Sequence, residues 1–218
     1  MIDQRTAEKA RELLGELVKP VRLVVFTQEF ECTYCQQNDE LAQDIAGLSD
    51  VISHEVHLFE KNGKTANELG IDKIPAIAVT SDGEDFGIRF FGIPSGYEFV
   101  SLLDAIRTVS TGKHELSDDT VDKVRALDRK VRIQVFVTPT CPYCPKSVVL
   151  AHRLSFVSKQ ISGDMVEAME FPHLTQKYNV AGVPRSVINE THFIEGAVPE
   201  KAYVQRILDA LRETHAGA

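Results

Sequence analysis

The four cysteines carry the clearest chemical signal in this 218-residue chain. They form two pairs, Cys32-Thr33-Tyr34-Cys35 and Cys141-Pro142-Tyr143-Cys144, offset by 109 residues. Two thiols at i and i+3 at the start of a helix share one face and can close a small disulfide ring. The first of each pair sits where free backbone N–H groups and the positive end of the helix dipole favour an anion. That lowers its pKa and makes it a thiolate near neutral pH. Cys32 and Cys141 are therefore read as the attacking nucleophiles. Cys35 and Cys144, one turn inward and shielded, are read as the thiols that resolve the mixed disulfide. Pro142 suits the first helical turn, where its missing N–H is not needed.

Two dipeptides repeat at the same offset, Ile74-Pro75 and Val183-Pro184. A proline that opens a strand is tolerated because its missing donor falls at the strand's start. A cis bond there turns the backbone of the preceding residue outward beside the cysteines. Ile74 and Val183 can then pair with an extended substrate segment in the manner of an added edge strand. Tyr34 and Tyr143 are placed at the border of that substrate groove.

Both constellations need a scaffold, and the chain writes it twice. Leu23-Val24-Val25-Phe26 is an apolar run that leads into the first cysteine pair, as a buried strand does. A helix follows over 34–48, then a β-branched and aromatic strand over 51–59. A short helix over 62–69 stops at Gly70, and Pro75 opens a hairpin whose second arm is 86–91. Phe99, Leu102, Leu103 and Ile106 mark a closing helix. The second half repeats the order, with strands at 131–137 and 165–170 and a short helix at 172–178. This reads as an α/β architecture, αβαβαββα twice, each copy a central sheet with helices on both faces. The polar stretch 110–115 marks the boundary, giving domains 1–112 and 113–218.

Composition narrows the function classes. The net charge of -8 argues against nucleic acid, whose binders carry basic patches. No apolar run approaches the ~18 residues of a membrane span. The charged N-terminal segment has no apolar signal core, so the expected location is the cytoplasm. There, paired cysteines are redox-active or metal-binding more often than structural. A four-cysteine zinc site usually spaces its knuckles ~15–20 residues apart. Here each pair sits in its own repeat, so no metal is assigned. His54 and His57 lie three apart in one strand, on opposite faces, and make a poor metal pair. His152 and His173 are read as ordinary surface residues.

The strand, the CxxC at a helix start and the proline opposite it resemble the thioredoxin superfamily. Cys141-Pro142-Tyr143-Cys144 is also the glutaredoxin tetrad. Over nearly its whole length the chain resembles the two-domain, glutaredoxin-like protein disulfide oxidoreductases of thermophilic archaea and bacteria. That resemblance implies two tandem thioredoxin-like folds, each with a central mixed sheet. It implies dithiol–disulfide exchange on protein substrates, with reduction, oxidation and isomerisation as variants of one chemistry. It implies a thioredoxin-reductase-like flavoprotein as electron donor and no cofactor beyond the cysteines. The chain departs from the superfamily in one respect that bears on mechanism. The buried acid of the strand before the cysteines falls on Val25 and Val135, so no proton acceptor is assigned to Cys35 or Cys144.

The two sites are expected to differ. Glu29 and Glu31 flank Cys32, with Asp39 and Glu40 further along, and negative charge opposes a thiolate. Cys141 has neutral neighbours and Lys146 nearby. A lower pKa at Cys141 makes its pair the stronger oxidant, so electrons should flow from Cys32–Cys35 to Cys141–Cys144. The second site is thus the main one. The rival readings are a dedicated electron shuttle between a flavoprotein reductase and one partner such as a peroxiredoxin, and a non-enzymatic binding module built on the proline groove.

Overall fold

The computed structural model describes residues 2–216. The first half runs α1 (Gln4–Leu13), β1 (Val21–Thr27), α2 (Cys35–Ala46), β2 (Ile52–Leu58), α3 (Gly63–Glu68), β3 (Ala76–Ser81), β4 (Glu84–Phe91) and α4 (Glu98–Thr111). The second runs α5 (Asp118–Arg125), β5 (Val131–Val137), α6 (Cys144–Val157), β6 (Ile161–Glu167), α7 (Pro172–Lys177), β7 (Arg185–Ile188), β8 (His192–Glu195) and α8 (Glu200–Ala216). The order αβαβαββα occurs twice, as the apolar patterning predicts.

The two copies share one eight-stranded mixed sheet, ordered β2-β1-β3-β4-β6-β5-β7-β8. The join is β4 against β6, in parallel, with Phe90 opposite Met165 and Phe91 opposite Val166. Two separate sheets would each leave an exposed strand edge, with its row of unpaired N–H and C=O groups. Joining them satisfies both rows. It also explains why Ile88, Phe90 and Phe91 are fully buried at what would otherwise be an edge.

Alternation along the strands divides the core in two. Leu23, Val25, Ile77, Ile88, Phe90, Ile133, Val135 and Met165 pack on the face covered by α1, α2, α4, α5, α6 and α8. Val24, Phe26, Ala76, Phe91, Phe136, Val166 and Val187 pack on the opposite face, under α3 and the Phe171–Tyr178 segment that contains α7. Among the described residues no helix is long and apolar enough to cross a membrane.

Three local expectations are corrected. Helix α6 begins at Cys144, so Pro142 precedes the helix and Pro145 occupies the first turn. β6 begins at Ile161 rather than at Met165. Gly163 and Asp164 have low β propensity and hide that start. A side chain at Gly163 would meet the Ala151 carbonyl of α6 at 2.7 Å, while Asp164 accepts from Arg132 Nε at 2.7 Å. His152 is 1% exposed, not on the surface. It sits between α6 and β4, with its ring edge-on to Phe90 at 4.7 Å and Nε2 3.2 Å from the Arg89 carbonyl.

Candidate redox sites

Both cysteine pairs lie where a strand of the sheet hands over to a helix. β1 ends at Thr27 and α2 starts at Cys35, and β5 ends at Val137 and α6 starts at Cys144. Each pair is joined as a disulfide, with a Cα–Cα distance of 5.5 Å in both. The N-cap positions are Tyr34 and Tyr143, and neither supplies a side-chain cap. The first-turn N–H groups are therefore left to other partners. At the second site the partner is sulfur, with Cys144 N–H donating to Cys141 Sγ at 3.1 Å. No such bond reaches Cys32 among the described residues.

In each pair the second cysteine is the more deeply buried. Cys35 is 3% exposed and Cys144 fully buried, whereas Cys32 is half-buried and Cys141 8% exposed. The Ile74–Pro75 and Val183–Pro184 peptide bonds are both cis. The Val183 carbonyl oxygen lies 3.8 Å from Cys141 Sγ. Pro75 O accepts from Gly92 N–H at 2.9 Å and Pro184 O from Gly196 N–H at 2.8 Å, which fixes both proline loops on their hairpin partners.

The surroundings differ. Beside Val183, an open groove of about 300 Å³ is lined by Thr138, Met169, Pro172, Val180 and Gly182. Met169 and Tyr143 stand exposed at its side of the molecule. The hollow beside the first site is about 60 Å³ and is lined by Glu29, Phe30, Glu60 and Lys61. Of the acids around Cys32, Asp39 lies 2.6 Å from His54 Nε2 and Glu29 pairs with Lys61 at 3.4 Å. His57 stacks on Phe26 from the other face of the sheet.

Both sites occupy the same edge and the same helical face of the sheet, because β1 and β5 run parallel to one another through β3, β4 and β6. Four strand spacings of about 4.8 Å put β1 and β5 about 19 Å apart. The segment 92–98 lies on this edge between them. Tyr97 N–H donates to Pro139 O at 3.0 Å, and Ile93 N–H donates to Glu170 Oε1 at 2.7 Å.

Three carboxyls accompany that segment, Glu98 and Glu167 buried and Glu170 half-buried, and none was anticipated from the sequence. Glu98, 1% exposed at the start of α4, accepts from Ser101 Oγ at 2.6 Å. Burial pushes its pKa up to about 7. Burial likewise raises Glu170 to about 7, partly offset by the Ile93 N–H and reinforced by the nearby Glu167. Glu167 is raised as well, by burial, with the Glu170 N–H acting against it. One signal for Glu98 was present: it lies four residues before Leu102, on the apolar stripe of its helix.

Comparison with known proteins fits this geometry. The thioredoxin domain family model matches residues 131–209. The F component of alkyl hydroperoxide reductase in Escherichia coli is 25% identical over 207 residues, covering 95% of this chain and 37% of that protein. The Staphylococcus aureus protein of the same name is 28% identical over 179 residues, 82% of this chain and 32% of its own. A Bacillus subtilis protein named NADH dehydrogenase is 25% identical over 165 residues, 73% and 32%. The chain thus spans about a third of the length of these curated relatives. Among solved structures, the protein disulfide oxidoreductase of Aeropyrum pernix superposes with a TM-score of 0.88 at 28% identity, covering 95% of this chain and 93% of that one. The alkylhydroperoxide reductase F component of Enterococcus faecalis superposes with a TM-score of 0.89 at 25% identity, covering 94% and 99%. The chain thus carries a thioredoxin-like domain and two CxxC disulfides, and it matches in structure both the archaeal protein disulfide oxidoreductase and the hydroperoxide reductase component.

Proposed function

We propose that the chain is a protein-disulfide oxidoreductase that exchanges thiols and disulfides with protein substrates, each half, 1–112 and 113–218, acting as one redox unit. The observation that carries this reading is the placement of the second pair. Cys141 sits at a helix start, takes an N–H on its sulfur, and faces the backbone of Val183 beside an open apolar groove. An extended polypeptide laid along Val183 brings its own disulfide to Cys141. The Cys141 thiolate attacks one sulfur and expels the other as a thiolate. The Cys144 thiolate then attacks Cys141 Sγ and releases the second substrate thiolate. The first pair repeats the arrangement with Cys32, Cys35, Ile74 and Pro75, and with Tyr34 in the place of Tyr143. The cysteines carry the electrons, so no metal or organic cofactor is required, and a thioredoxin-reductase-like flavoprotein is the donor.

The test is turnover of a model protein disulfide with a dithiol reductant. Wild type is compared with Cys32→Ser/Cys35→Ser and with Cys141→Ser/Cys144→Ser. Loss in the second variant alone identifies the Cys141–Cys144 pair as substrate-facing. Loss in both variants supports a different reading, an electron shuttle with its sites in series. The curated relatives and the common sheet edge favour that alternative. Full activity in both variants makes the halves independent enzymes. Absence of turnover in the wild type itself would refute the proposal.

A further inference from the structure

The join of the two halves is covered on both faces of the sheet. On one face α4 packs against α6 along a seam where Asp104 binds Arg153 Nη2 at 2.8 Å. On the other lies the loop 69–75, which leads from α3 to the cis Ile74–Pro75 bond of the first redox site. Ile71 and Ile74 anchor this loop in the core beneath α3, and Arg89 Nε donates to the Leu69 carbonyl. Asp72 and Lys73, the two residues before Ile74, turn to the second half instead. Arg132 Nη1 donates to Asp72 Oδ2 at 2.6 Å, while Arg132 Nε donates to Asp164 Oδ2 at 2.7 Å. Lys73 Nζ donates to Asp72 Oδ1 and stands 3.6 Å from the ring centroid of Phe91, which pairs with Val166 across the join. The Lys73 side chain is 11% exposed and that of Asp164 2%, so their mutual attraction is little screened by salt. Burial alone would raise the pKa of Asp72, but Arg132 and Lys73 outweigh it and hold it down to about 2. The cluster is therefore fully charged at neutral pH.

Repetition of the fold shows what is particular to this arrangement. By strand register, Arg132 and Asp164 correspond to Arg22 and Glu55 of the first half. Those two also pair, at 3.0 Å, but on β1 and β2 at the outer edge of the sheet, with both side chains about half exposed. At the 109-residue offset, Asp72 and Lys73 correspond to Ala181 and Gly182, both exposed. The loop of the second site thus has no charge by which to be held.

We infer that Arg132 and Asp164, two residues of the second half, are positioning residues for the first redox site: through Asp72 and Lys73 they fix the loop that presents the Ile74 backbone to a polypeptide substrate at Cys32. The inference rests on the exchange reading above. A substrate strand laid on Ile74 is held by main-chain hydrogen bonds, which weaken once their geometry drifts. A loop ordered in advance spares binding the cost of ordering it. A small disulfide has no strand to lay on Ile74, so its attack by Cys32 does not call on the clamp. The clamp makes the first site selective for polypeptide disulfides, and only in a chain whose halves are joined.

The test uses the full chain in a Cys141→Ser/Cys144→Ser background, where only the first pair reacts. Turnover of a model protein disulfide with a dithiol reductant gives KM. A chromogenic nitrobenzoate disulfide reports attack without a backbone to bind. Asp72→Ala, at an exposed position, should raise the KM for the protein disulfide at least about fivefold, since a misplacement of about 1 Å can cost up to about a hundredfold. Its rate with the nitrobenzoate disulfide should stay within twofold. Arg132→Gln should do the same, and the double variant should be no worse than either single one, because both break one clamp. Arg22→Gln, which breaks the matching pair at the outer edge, should leave KM within twofold. So should Asp72→Ala at the second site, measured in a Cys32→Ser/Cys35→Ser background. Asp72→Ala keeps the test decisive if Arg132→Gln, which takes a partner from buried Asp164, does not fold. An unchanged KM in Asp72→Ala would overturn the assignment, as would equal losses on the protein and the small disulfide, or equal losses at both sites. Turnover of the protein disulfide by the second site but not by the first would overturn it and leave the exchange reading standing. No turnover at either site would refute both.

Discussion

Gly96→Ala probes the contact through which the first half holds the second site. Gly96 has φ +60, and a Cβ built there would stand 2.2 Å from Pro139 O and 2.9 Å from Pro139 C. Carbon–oxygen contacts settle at about 3.3 Å or more, so one loop must retreat by about 1 Å. The left-handed backbone costs a residue with a Cβ about 1–2 kcal/mol. Losing the adjacent Tyr97–Pro139 hydrogen bond costs about 1 kcal/mol more. A matched control exists in Gly112, with φ +75 and open space around its Cβ position, where only the backbone cost applies. For a chain of this size each kcal/mol lowers the Tm by about 2–4 °C. Gly96→Ala should therefore lose about 4–12 °C and Gly112→Ala about 2–8 °C in parallel thermal melts. Pro139 is two residues from Cys141, and a 1 Å misplacement can cost about a hundredfold in rate. Turnover at the second site should fall about ten- to a hundredfold in Gly96→Ala. The first site, measured in a Cys141→Ser/Cys144→Ser background, should stay within twofold. Equal destabilisation by the two alanines, or equal slowing of both sites, would refute the argument.

Three further outcomes follow from the same structure. Burial lowers the His152 pKa from 6.5 to about 4, so the unfolded chain takes up this proton first. Stability should fall by about 3 kcal/mol as pH drops from 6.5 to 4, and denaturant titrations of wild type against His152→Gln should differ by that slope, with parallel curves counting against it. Glu98 works in the opposite sense: its raised carboxyl contributes stability below pH 4.5 that is lost as pH climbs to about 7. Glu98→Gln should then be more stable than wild type at pH 8, by up to about 3 kcal/mol, but not at pH 4; a variant no more stable at pH 8 would contradict the burial argument. In the reduced protein, the pH midpoint for alkylation of Cys141 should lie below that of Cys32, because Cys144 N–H meets the Cys141 sulfur while Glu29 and Glu31 flank Cys32; mass-spectrometric trapping giving the reverse order would remove the basis for electron flow toward the second site.

What could be read from the residues and what could not divide along a physical line. The cysteine pairs, the helices they open and the prolines opposite them are specified locally, by spacing, turn chemistry and apolar runs of a few residues. They stand at the expected positions, and both proline bonds are cis. The misplaced start of β6 and the surface reading of His152 both failed at α6, where Gly163 and His152 answer to the packing of a helix on distant strands. The join between β4 and β6 is further removed, since it is decided by the other half of the chain. Phe90 and Phe91 register only as a hydrophobic strand until Met165 and Val166 lie beside them. Glu98 looks like an acid that favours a helix start, yet it is almost wholly buried, which no local pattern announces. Two copies of one fold, each buried by the other along α4 and α6, need not carry the same complement of groups. Gly96 against Pro139 and Asp104 against Arg153 hold the copies in register at the two ends of the seam. The continuous sheet and this seam therefore fix where the second site stands relative to the first half, and the duplicated halves are not interchangeable.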